Sequence, residues 1–174
     1  MRVSRKRKSL LRLTIVPALI TAIIVAVLYG TLTLLNYDLF SSSSSVLLFA
    51  SFGSSAFLLF MIPHSRAANI GRFAKSYIIA IVLGPIGYVL AALAGLPLAT
   101  GIMMFIMSTL LYTTHSEHPP AIGAMLAFIL YRIDVYGIFI VLFGIVLFVS
   151  FHKVFEKYIY QIGIEIESRE RFHD

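Results

Sequence analysis

Apolar and polar positions alternate in long blocks along this chain. Leu13–Leu35 is an apolar run broken only by threonines and Pro17, followed by a polar stretch, 36–45, with five consecutive serines. Val46–Ile62 is apolar and stops at Pro63. A basic stretch with Arg66, Arg72 and Lys75 precedes the apolar segments Tyr77–Leu96 and Leu98–Thr114, which Pro97 separates. Residues 76–114 contain no Asp, Glu, Lys or Arg, and neither do residues 119–131. At the join of these two blocks sits a polar island, Thr113-Thr114-His115-Ser116-Glu117-His118-Pro119-Pro120-Ala121. Then come Pro120–Tyr131, a polar break Arg132-Ile133-Asp134, and Val135–Phe151. Uninterrupted apolar stretches of ~20 residues predict membrane-spanning helices. The pattern therefore predicts an all-α polytopic helix bundle, with 1–12 as a basic arm, 13–151 as the membrane domain and 152–174 as a charged, partly amphipathic tail.

The first run has 23 residues, longer than the ~7–15 of a signal-peptide core, and no clear small-residue cleavage site follows it, so it reads as a retained helix. Pro120–Tyr131 is different. Its twelve residues reach only ~18 Å as a helix against a ~30 Å hydrocarbon core. It reads either as a half-helix paired with Val135–Phe151 or as the start of one long tilted helix carrying Arg132 and Asp134; the first returns the C-terminus to the side of the N-terminus. Gly84-Pro85 is a place for a kink.

Composition agrees with the pattern. The 174 residues are 59% hydrophobic and 13% charged, with mean hydropathy +0.93, about half the charge of a soluble domain (~25%). The net charge of +6 does not point to nucleic acid, because six of the 14 basic residues (Arg2, Arg5, Lys6, Arg7, Lys8, Arg12) precede the first apolar run. There they set membrane orientation and meet anionic headgroups. The positive-inside bias places the N-terminus and the Arg66/Arg72/Lys75 loop on the cytoplasmic side, and alternation of the spans then puts the polar island there too. A prokaryotic plasma membrane is the expected location. With no cysteine in the chain, disulfides, thiolate metal sites and a cysteine nucleophile are excluded.

The island is the place to look for function. Ionisable groups between membrane segments are costly and face an interior, a cavity or the interface. A weak repeat accompanies it: His64-Ser65-Arg66-Ala67-Ala68-Asn69-Ile70-Gly71 parallels His115-Ser116-Glu117-His118-Pro119-Pro120-Ala121-Ile122-Gly123 with one gap, 51 residues on. Each copy lies between apolar segments, the arrangement in which transporter repeats hold substrates at their interface.

His118-Pro119-Pro120-Ala121, preceded by Met103, Met104 and Met107 and followed by Gly123-Ala124, resembles the HPP family of small integral membrane proteins, named for this tripeptide. Pro63 with Asn69-Ile70-Gly71 is similar to the family's second recurring element. The resemblance covers about residues 45–150. Thr114-His115-Ser116-Glu117 stands where the family has a threonine-leucine step, and Ala68 where it has a basic residue. Some plant and cyanobacterial relatives are linked to nitrite transport, so the resemblance implies movement of a small anion.

The residues themselves favour an anion over a cation. A helix starting near Pro119 presents unpaired N–H groups and a partial positive charge, a ready anion site. Asn69 starts the next helix in the other copy in the same way. Arg66 and Arg72 supply charge, and His115 or His118 can carry a proton; Glu117 argues the other way, since a carboxylate repels anions unless it is paired or protonated, though it can hold either histidine cationic. The plainer readings stand beside these: His118 as a cap or a loop hydrogen bond; His115, Glu117 and His118 as metal ligands lacking a fourth; the methionines as packing; Arg132 and Asp134 as an interfacial anchor or a gate. No Gly-x-Ser-x-Gly elbow, His-Glu-x-x-His pair or Walker loop is present. The expectation is a non-enzymatic transporter or channel for a small anion, nitrite first, without cofactor and homo-oligomeric. Its substrate would meet His118, Pro119, Pro120, Asn69, Arg66, His115 and Glu117. The rival is a membrane scaffold or sensor without transport. Transport predicts a polar path through Ser51, Ser54, Ser55, Ser108 and Thr109.

Overall fold

The computed structural model describes residues 2–34, 43–131 and 135–170, with side chains placed over 14–31, 47–131 and 137–158. The break residues Arg132 and Asp134 and the side chains of the basic arm lie outside the described residues. Every described element is helical: α1 (Arg2–Leu34), α2 (Ser43–Met61), a 3-10 turn (Arg66–Ala68), α3 (Ile70–Ala94), α4 (Leu96–Thr113), α5 (Pro120–Tyr131) and α6 (Val135–Glu170). Four helices are long and apolar enough to cross a membrane, within α1, α3, α4 and α6; α5 and the apolar part of α2, Leu47–Met61, are shorter. The all-α polytopic bundle expected from the sequence is the architecture found.

Pro63 follows α2 closely, as expected, because a helix rarely continues into the residue before a proline. Pro85 sits inside a continuous α3 and does not divide it. The turn between α3 and α4 is made by Gly95 at φ +86°, a conformation that only glycine adopts without strain. Pro97 then falls in the first turn of α4 rather than ending the preceding helix, where its missing N–H costs nothing.

The short helix α5 is the centre of the packing. It lies against α3 and α2, with α4 along its side, and it buries Ala121, Ala124, Met125, Ala127, Phe128 and Ile129. Small residues let the backbones approach, as in other membrane bundles. Gly84 faces Phe128, and Gly87 faces Ile129 and Met103. The reading of 120–131 as a half-helix agrees with α5, and Val135–Phe151 falls within the membrane-length α6, which packs mainly on other helices. The principal partners of α6 are α3, α1 and α2, because Gly144 makes room for Phe52 of α2 and Phe148 stacks on Phe73 of α3. Residues 132–134, between the end of α5 at Tyr131 and the start of α6 at Val135, lie outside the described residues. The proposed tail boundary at 151/152 falls inside α6.

Candidate functional site

At one end of the bundle the two similar segments read as repeat copies, 64–71 and 115–123, meet. In the first, Asn69 caps α3: its side-chain oxygen accepts from the Arg72 N–H at 3.1 Å, the usual role of Asn at a helix start. In the second, α4 ends in a Schellman turn. Ser116 N–H reaches the Leu111 carbonyl at 2.9 Å and His115 N–H that of Tyr112 at 3.2 Å, with His115 in the left-handed region at φ 50°. His115 is therefore an exposed helix terminator. The turn sends the chain back inward, so Ser116 and His118 are fully buried while Pro119 is exposed beside Gly53, Ser54 and Phe57.

His118 lies in the segment between α4 and α5, under the rings of Phe73 (centroids 5.2 Å apart, edge-on) and Tyr77 (6.0 Å). Its Nδ1 is 2.7 Å from the Ala67 carbonyl oxygen, in the other repeat copy. A carbonyl only accepts, so Nδ1 carries a proton. Its Nε2 is 2.8 Å from Ser55 Oγ. Ser55 Oγ is 2.9 Å from the Tyr77 hydroxyl, and that hydroxyl is 2.5 Å from Ser51 Oγ. Ser51 Oγ in turn donates to the Pro120 carbonyl at 2.7 Å. The string thus leaves the island at His118, passes through α2 and α3, and returns at Pro120. Burial pulls the imidazole down from 6.5 to about 4 despite its bond to Ala67, so at neutral pH His118 is uncharged.

The carboxylate of Glu117 does not hold a histidine cationic, as the sequence allowed. It accepts from Arg72 Nη1 at 2.6 Å, because the capped first turn of α3 aims Arg72 across at the island. The pair is about a quarter to a third exposed (24% and 32%) and sits beside the buried string. Arg66 is exposed in the 3-10 turn. The expected anion site at the start of α5 is also corrected. Pro119 and Pro120 have no N–H, and the next two, Ala121 and Ile122, donate to the carbonyls of His118 (3.1 Å) and Pro119 (3.0 Å). No metal-binding group of three His, Cys, Asp or Glu side chains forms among the described residues; His115, Glu117 and His118 turn to different surroundings.

Of the seven residues expected to meet a substrate, the fold brings His118, Pro120, Glu117 and Asn69 around one junction. Pro119 and His115 lie at its outer edge, and Arg66 faces away into solvent. Tyr77, the centre of the string, and Arg72, the partner of Glu117, are the additions. The i, i+4 spacing of Ser51 and Ser55, four residues apart on one helix face, is the sequence signal for the first. Ser54 and Thr109 are exposed and bond back to carbonyls of their own helices, and Ser108 is exposed, so the expected path through all five hydroxyls does not form.

The model of one protein family, described as HPP, transmembrane region, matches residues 11–161. The chain belongs to the HPP family. No curated protein and no solved structure matches it. In this HPP protein the tripeptide has divided roles: His118 ties the α4–α5 turn to the first repeat copy, Pro119 faces outward, and Pro120 opens α5 and ends the string through its carbonyl.

Proposed function

We propose that this HPP protein carries a small anion across a membrane, as transporter or channel, with nitrite the first substrate to test and a proton as the coupling ion. The observation that carries the reading is the Arg72–Glu117 pair at the junction of the two repeat copies. A guanidinium presents a fork of donors that suits planar oxyanions, and here it is held by a carboxylate that a substrate anion can displace. Arg66 and Lys75, exposed at the same end, raise the local anion concentration. Family membership and four membrane-length helices support the membrane setting. A homo-oligomer in a prokaryotic plasma membrane, with the N-terminus cytoplasmic, completes the reading, since so small a bundle leaves little room for a pore of its own. No covalent chemistry is needed, and the protein is read as a non-enzyme.

A second reading, a scaffold or sensor without transport, is favoured by one observation: Thr109 and Ser54 turn outward and bond to their own helices, leaving a short closed string instead of a lined path. Uptake of nitrite, nitrate, formate and chloride into proteoliposomes, with and without an inward proton gradient, separates the two. The transport reading expects uptake of at least one anion above empty liposomes. Folded protein that moves none of the four leaves the scaffold reading.

A further inference from the structure

On the outer side of the junction, α2 and the start of α5 leave a groove between them. Its volume is about 720 Å³, and Gly53, Ser54, Phe57, Leu58, Pro119 and Pro120 line it. That is the size of sites that hold small ligands (~300–1,000 Å³), but the lining has no free polar group to offer one. The Ser54 hydroxyl already donates to the Ala50 carbonyl at 2.9 Å. The prolines have no N–H, and their carbonyls accept from Ile122 N–H and from Ser51. Gly53 widens the groove, since a Cβ built there meets no atom within 4 Å, and Phe57 stands 49% exposed along it. The part contributed by α2 lies inside the apolar run Leu47–Met61, so in a bilayer the groove opens to hydrocarbon.

Positive charge gathers at one end of this groove. The 2.7 Å bond from His118 Nδ1 to the Ala67 carbonyl ties the 3-10 turn to the island, so Arg66 and Pro119 each lie one residue from the same bond. The turn also packs against α2. Arg66, which turns outward from the junction, is exposed, and so is His64 two residues before it. Neither makes an ion pair or hydrogen bond among the described residues, and the carboxylate of the island, Glu117, is taken by Arg72. A hydrocarbon groove that ends at an unpaired guanidinium matches one component of a bilayer, a phospholipid with a negative headgroup.

We propose that the α2–α5 groove binds an anionic phospholipid, which lays one acyl chain against Phe57, Leu58 and Pro119 and sets its phosphate on Arg66. A second copy of the chain fits the groove less well. Two copies related by a two-fold axis along the membrane normal would each bring Arg66 to the same end of the contact, where like charges oppose each other. A lipid phosphate neutralises that charge instead. The inference rests on the membrane setting and not on anion transport. It also gives the outward-facing Pro119 a neighbour, a lipid chain one residue away from the buried ring of His118.

The test is photolabelling of the full chain in phosphatidylcholine nanodiscs that carry a trace of phosphatidylglycerol or phosphatidylcholine with a diazirine on one acyl chain. Adducts are mapped by peptide mass spectrometry. The outer face of α4, with Leu98, Phe105 and Tyr112 exposed and no charged residue in the helix, is the reference for ordinary lipid contact. Relative to α4, the phosphatidylglycerol probe should label the groove residues about five-fold more than the phosphatidylcholine probe, the weight of one basic residue at a membrane surface. Arg66→Gln should bring that ratio close to one. Gly53→Leu adds bulk where a Cβ has open space, and it should remove groove labelling by both probes while α4 labelling stays. Equal labelling of groove and α4 in the wild type overturns the proposal, as does an unchanged ratio in folded Arg66→Gln. A second copy in the groove also overturns it, and Ser54→Cys, in a chain with no other cysteine, would show it as a disulfide-linked dimer with the groove unlabelled. No readout involves a transported anion, so this site and the transport reading fail separately.

Discussion

Gly84 holds α5, and with it the island, against α3, and replacing it with alanine should loosen both. A Cβ there would lie 2.5 Å from Phe128 Cβ, 2.8 Å from its Cγ and 3.1 Å from its Cδ2, against an optimal carbon separation of about 3.5–4.0 Å. The nearest of these atoms is fixed to the α5 backbone, so no rotamer change relieves it, and the helix must move by about an ångström. Overpacking of this kind costs about 1–3 kcal/mol. The better helix propensity of alanine returns at most about 1 kcal/mol. Gly87 provides the control. Its added Cβ would meet Ile129 Cδ1 and Cγ1 at 2.7 Å and Met103 Cγ at 2.9 Å, and flexible side chains of that kind can swing aside. The expected order of stability is wild type, then Gly87→Ala, then Gly84→Ala, with a net loss at Gly84 of about 1–2 kcal/mol. The chain has no Trp and no Cys, so unfolding in detergent is followed by helical circular dichroism. Gly84→Ala as stable as wild type, or less damaging than Gly87→Ala, would refute the argument that α5 cannot yield.

Three further outcomes follow from the same contacts. Asn69→Ala removes the cap of α3 and should cost about 1 kcal/mol, with Asn69→Asp largely retaining it; thermal unfolding checks both. His115→Gly relieves a left-handed residue at φ 50° and should stabilise by up to about 1 kcal/mol, whereas a direct substrate contact at His115 would show as lost uptake. Below pH 6.5 the unfolded chain binds a proton at His118 that the native fold resists until about pH 4. Stability should therefore fall as pH drops through this window, by at most about 1.4 kcal/mol per pH unit. His118→Asn should flatten that slope between pH 6.5 and 5, and an unaltered slope would mean that His118 is not buried neutral.

The helices were legible because lipid demands long apolar blocks, and prolines and the Asn69 cap mark their ends by local rules. The island was legible because charges between such blocks are conspicuous. Its wiring was not. Arg72 meets Glu117 across 45 positions, and His118 meets Ser55 across 63; such partners depend on how helices dock, which hydropathy does not encode. His115 read as a candidate ligand because a left-handed turn residue is usually glycine or asparagine, and histidine hides that role. Ser108 and Thr109 read as a path because periodicity gives the spacing of a helix face without saying which face points inward. The N-terminus of α5 read as an anion site because a helix start is one by default, and only the bonds of Ala121 and Ile122 to His118 and Pro119 remove it.

The most direct measurement is the initial rate of nitrite uptake into proteoliposomes for wild type, Arg72→Gln and Glu117→Gln side by side. An anion that displaces Glu117 from Arg72 predicts opposite effects. Arg72→Gln should lose uptake by about ten-fold or more, the worth of a charge-assisted hydrogen bond. Glu117→Gln should lower the apparent KM, because the guanidinium no longer has a carboxylate to release. Variants that fold like wild type and transport nitrite at its rate and KM would contradict the account, since the pair would then only fasten the island to α3.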